Sequence, residues 1–98
     1  MGIAEAGLER FLVEWYGPQA PASSISETAG RLSEGAASTS AGGRRIRLLM
    51  ALAVPADDYA FGIFAAESAE SVAQLCADAG APPERISSAV TWPRSPDY

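Results

Sequence analysis

The stretch from Arg45 to Ala66 constrains this chain most. It reads Arg-Ile-Arg-Leu-Leu-Met-Ala-Leu-Ala-Val, then Pro-Ala-Asp-Asp, then Tyr-Ala-Phe-Gly-Ile-Phe-Ala-Ala. Two apolar runs flank a short turn, which is the pattern of a β-hairpin. Pro55 pre-sets one backbone angle of the turn, and Asp57 or Asp58 can hydrogen-bond the turn's own amides. The second run is apolar on both faces, which predicts a central strand covered on two sides. Within the first run, simple alternation puts Ile46, Leu48, Met50 and Leu52 on one face and Arg45, Arg47, Leu49 and Ala51 on the other. In the second, Tyr59, Phe61 and Ile63 share a face, with Ala60, Gly62 and Phe64 opposite. Gly62, inside a strand, marks a bulge or a close approach of another segment.

The flanking segments complete a pattern. Leu8 to Tyr16 alternates as a strand, with Phe11, Val13 and Trp15 on one face and Arg10, Leu12, Glu14 and Tyr16 on the other. Gly17-Pro18 stops it. Ser24-Ile-Ser-Glu27 is a capping-box sequence that opens a helix. Ile25, Ala29, Leu32 and Ala36 form its apolar stripe, and Glu27, Arg31 and Glu34 its wet side. The run from Ala37 to Gly43 is expected to end that helix and to be poorly ordered. Ser68 caps a second helix with a buried stripe of Val72, Leu75, Cys76 and Ala79, stopped by Gly80 and Pro82-Pro83. Ile86 to Trp92 is a fourth strand. Residues 1–7 form a leader and 93–98 an extended tail around a single domain, 8–92.

The order β-α-β-β-α-β is that of the ferredoxin-like α+β fold, a four-stranded antiparallel sheet with both helices on one face. The first and third strands are then central. The alternation does not say which set of side chains meets the helices. Either choice leaves apolar groups on the open side, Leu12 and Tyr16 or their alternates, Leu49 and Phe64. Such a face implies a partner, a ligand or a second copy. A homodimer or higher homo-oligomer is therefore expected.

Charge and composition narrow the function. The chain has 98 residues, 48% of them hydrophobic, and a net charge of −5. All its basic residues are arginine, and histidine is absent. An acidic chain repels phosphate backbones, so nucleic acid is not an expected partner, although Tyr59 to Phe64 superficially resembles an aromatic RNA-binding strand. Arg44, Arg45 and Arg47 follow Gly42-Gly43 without phosphate-loop spacing. No apolar run approaches the ~20 residues of a membrane helix. The N-terminus lacks the basic and apolar regions of a signal peptide. The single cysteine, Cys76, cannot form an internal disulfide and lies on a buried helical stripe, as in a reducing cytoplasm.

A set of motifs resembles a family of small bacterial ferredoxin-like proteins of unassigned function that includes a nickel-binding, nickel-responsive member. The matching pieces are Phe-Leu-Val-Glu14 in the opening strand, Val54-Pro-Ala-Asp-Asp58 at the turn, and Phe64-Ala-Ala-Glu-Ser68 with Ala-Glu-Ser-Val72 after the third strand. Ala79-Gly-Ala-Pro-Pro-Glu-Arg-Ile86 follows the second helix. The resemblance implies a domain that pairs through its sheet face, with a metal or small-ligand role. Where family members carry Ser and Cys, this chain has Ala51, Ala60 and Gly62. Nickel favours imidazole and other nitrogen ligands, and the chain supplies no histidine.

Glu14 is the most informative candidate. A carboxylate in a central strand needs an arginine, a water or a ligand, and Arg47 on the hairpin is an available partner. A ligand cleft is expected near Glu14, Tyr16, Asp57 and Asp58. The ordinary alternatives are a sheet-face ion pair for Glu14 and a solvated turn for the aspartates. With no histidine base, nucleophile elbow or paired carboxylates, the expectation is a non-enzymatic binding module without a resident cofactor. A structural oligomerisation domain and a cofactor-free enzyme are the alternatives.

Overall fold

A computed structural model describes residues 7–18 and 20–90. The leader before Gly7, Trp92 and the tail 93–98 lie outside the described residues. The elements are β1 (Glu9–Tyr16), α1 (Ile25–Ala41), β2 (Ile46–Val54), β3 (Tyr59–Ala66), α2 (Ala69–Asp78) and β4 (Arg85–Ala89). The sheet is antiparallel in the order β2-β3-β1-β4, so the expected ferredoxin-like α+β fold is present with β1 and β3 at the centre. β1 begins one residue later than expected, and β4 ends at Ala89.

The aromatic set of β1 meets the helices. Phe11, Val13 and Trp15 are buried, and their β3 partners Phe64, Gly62 and Ala60 lie on the same face. Leu32 and Ala36 of α1 and Val72, Leu75 and Cys76 of α2 close this core. Phe64 therefore does not belong to the open side. Gly62 is the floor of the core. A Cβ there would meet Phe64 Cε1 at 3.4 Å and both Leu48 Cδ1 and Trp15 Cη2 at 3.5 Å, ordinary packing distances, so a methyl group fits at this position beneath the two rings.

Strict alternation fails in β2. Ile46 and Leu48 pair with Ala66 and Phe64 on the helix side, but Met50 then pairs with Ile63, which is on the open side. Leu49 is the extra residue of a β-bulge, and every later side chain changes face. Ala51 and Ala53 turn inward to meet Gly62 and Ala60, while Met50, Leu52 and Val54 turn outward. The small side chains of Ala51 and Ala53 therefore lie on the helix side, partly buried beside the core that holds Trp15 and Phe64.

α1 is longer than expected and runs through Ala37–Ser40 to Ala41. Ser40 holds that end to β2: its hydroxyl donates to the Ile46 carbonyl at 2.9 Å and accepts from the Ile46 amide at 3.2 Å. The helix stops in a Schellman arrangement, with Arg44 N–H to Thr39 O, Gly43 N–H to Ser40 O, and Gly43 at φ +102°. α2 ends the same way through Ala81 N–H to Cys76 O, Gly80 N–H to Ala77 O, and Gly80 at φ +80°. Ser68 caps α2 by accepting from the Ser71 amide. The expected capping box of α1 is not formed. Ser24 has ψ 35°, away from the extended backbone that aims a capping hydroxyl at the first turn, and it makes no side-chain cap bond.

Candidate functional site

The face of the sheet away from the helices is covered by no described element. β2 contributes Met50, Leu52 and Val54, β3 Tyr59, Phe61 and Ile63, and β1 Leu12, Glu14 and Tyr16. Met50, Leu52 and Tyr16 are 40%, 42% and 44% exposed. β3 is thus central in the sheet but covered on one side, where its apolar pattern suggested two. One end of the face is basic: Arg47 and Arg10 pair on either side of a fully buried Ala65.

Glu14 stands in the apolar field between Phe61 on β3 and Arg85 on β4. Its side chain is 18% exposed. The Tyr59 hydroxyl donates to Glu14 Oε2 at 2.6 Å. Arg85 Nε lies 4.0 Å from Oε1, close enough for attraction but beyond hydrogen-bond reach. The pairing with Arg47 is not made. The antiparallel register sets Arg85 directly opposite Glu14, while Arg47 sits opposite Ala65, several residues along the sheet. The main chain at Glu14 is also used, since its carbonyl accepts from the Glu84 amide at 2.9 Å.

The hydrogen bond to Glu14 holds the Tyr59 phenol above its ordinary 10.0, and partial burial and the neighbouring negative charge act in the same direction. Tyr59 therefore remains a neutral donor at physiological pH. Its ring also packs tilted against Phe61 with centroids 6.2 Å apart. Together these contacts fix the Glu14 carboxylate in one orientation and leave Oε1 available as an acceptor.

The four expected site residues fall into two groups. Glu14 and Tyr16 share the open face, two residues apart on β1. Asp57 and Asp58 sit on the exposed β2–β3 turn. Pro55–Asp57 form one 3₁₀ turn, and Asp58 takes the left-handed conformation, φ 48° and ψ 48°, that reverses the chain into β3. Asp58 serves through its backbone: its amide donates to Pro55 O and its carbonyl accepts from the Gly17 amide, both at 3.1 Å. Neither aspartate side chain is hydrogen-bonded to Glu14. Sequence reasoning missed Tyr59 and Arg85 as partners of Glu14. The signal was available only through register, because Tyr59 lies diagonal to Glu14 across β1 and β3.

Nickel does not suit this donor set. Among the described residues no group of three or more Cys, Asp and Glu side chains converges. Burial pushes the Cys76 thiol from 9.0 to about 12, so the free thiol stays protonated, and it lies inside the core beneath α2. No helix among the described residues is long and apolar enough to cross a membrane. Comparison with protein families, curated proteins and solved structures gives no match to this chain.

Proposed function

We propose that this chain is a non-enzymatic binding module that self-associates through its open sheet face and holds a small hydrogen-bond-donating ligand at Glu14. The observation that carries the reading is the largely buried, pre-oriented Glu14 carboxylate in an otherwise apolar field. An apolar cleft with a few fixed polar groups is the usual form of a small-ligand site. A second copy supplies the opposite wall. Four strands at ~4.8 Å spacing and ~8 residues at ~3.4 Å give a face of roughly 500 Å² per copy. Two such faces bury about 1,000 Å², the lower bound of a specific interface. Cys76, buried as a free thiol, suits a reducing, cytoplasmic setting.

The test is thermal stabilisation by a panel of small amines and amides. The wild type gains stability with at least one of them, and Glu14→Gln loses the response while keeping its far-ultraviolet spectrum. An unresponsive wild type, or equal responses in both proteins, contradicts the reading.

A further inference from the structure

The opposite side of the sheet holds a cleft of about 390 Å³ between the start of α1 and the loop leading into β4. Its walls include Trp15, Ser24, Thr28, Arg31, Gly80 and Glu84. Ser24, Thr28 and Arg31 are spaced i, i+4, i+7 and so line one side of α1. Glu84 comes from the loop opposite, two residues after Pro82.

Arg31 and Glu84 carry opposite charges in one cleft, yet no ion pair joins them. Each is held by other partners, and Arg31 reaches across to the end of α2. Arg31 Nε donates to the Ala79 carbonyl at 3.0 Å and Nη2 to Thr28 Oγ1 at 3.3 Å. Glu84 Oε1 accepts from the Tyr16 amide at 3.2 Å, and the Glu84 amide is bound to the Glu14 carbonyl. These tethers leave three of the five guanidinium N–H donors and the second carboxylate oxygen available. The floor between them is rigid. Trp15 is buried and locked by its indole N–H to the Ala81 carbonyl at 2.8 Å. The Ser24 hydroxyl, not spent on capping, adds a polar group at the same mouth.

We infer that this cleft binds a free amino acid as its zwitterion, with the α-carboxylate on Arg31 and the ammonium on Glu84. Two opposite charges held apart by separate hydrogen bonds recognise a ligand that carries both charges on one carbon. A simple anion or a simple amine satisfies one wall and leaves the other unpaired. This site is distinct from the one at Glu14, which faces the other side of the sheet and asks for no carboxylate.

Nuclear magnetic resonance titration of the full chain with each free L-amino acid tests the inference. At least one amino acid shifts the Trp15 indole and Gly80 amide resonances saturably. Its N-acetyl and carboxamide forms bind at least about tenfold more weakly, the loss of one charged contact. Arg31→Gln and Glu84→Gln weaken binding to the same degree with the sheet resonances unmoved, and Arg31→Lys recovers part of the affinity. The inference is overturned if no free amino acid shifts these resonances, or if both capped forms bind as well as the free one.

Discussion

Tyr59 and Glu14 lie 45 residues apart in the chain and 2.6 Å apart in the fold. That hydrogen bond is charge-assisted and partly shielded from water, so it is worth more than a neutral surface bond. Tyr59→Phe keeps the ring packed on Phe61 and removes only the donor. It is expected to cost about 1–2 kcal/mol, measured by urea unfolding. The same pair sets a pH limit. The Tyr59 phenol and the Cys76 thiol both bind their protons more tightly in the folded chain than in the unfolded one. Above pH 9 the unfolded state loses those protons first, so stability is full below about 9 and falls as pH rises toward 12. Denaturant midpoints taken across this range show the fall. Tyr59→Phe removes the tyrosine part of it and leaves the thiol part. At this scale the sequence announced that Glu14 needed a partner, because a carboxylate beside Val13 and Trp15 is costly alone. It offered Arg47, which is not the partner used. Arg85 and Tyr59 are chosen by strand register, and register depends on pairings far apart in the chain.

Elements were legible where local chemistry decides them. Gly80 and Pro82-Pro83 mark the end of α2, and Gly80 indeed adopts φ +80°. A side chain there meets no neighbour within 4 Å, so Gly80→Ala isolates the backbone cost. The expected loss is about 1–2 kcal/mol by thermal or denaturant unfolding, the ordinary penalty for a left-handed alanine. β2 shows the opposite case. Its residues are apolar without a break from Leu48 to Val54, so alternation cannot fix the faces there and nothing local signals the bulge at Leu49. The bulge puts the small Ala51 and Ala53 on the helix side and the larger Met50 and Leu52 outward, a choice made by pairing with β3. The length of α1 was missed for a related reason. The Ala-Ser-Thr run has modest helix propensity, and the Ser40 clasp on Ile46 that holds its last turn is a tertiary contact.

For the whole molecule, the β-α-β-β-α-β order was readable from periodicity and turn residues, and topology rules then placed β1 and β3 at the centre. That one face would stay apolar and open also followed from the sequence. The identity of that face did not, because both alternations of β3 are apolar. The bulge enlarges the face by turning Met50, Leu52 and Val54 outward, beside Phe61, Ile63 and Leu12. A monomer has little reason to keep such a patch in water. The account therefore rests on this face meeting a second copy. Leu52 is 42% exposed within it, so a lysine there can reach solvent in a monomer but not in a closed interface.

Native mass spectrometry of the purified wild type and of Leu52→Lys, at matched concentrations, tests that claim most directly. The account predicts an even-numbered oligomer, a dimer in its simplest form, for the wild type and a folded monomer for Leu52→Lys. A wild type that stays monomeric at every concentration, or a Leu52→Lys protein with the same subunit count as the wild type, contradicts it.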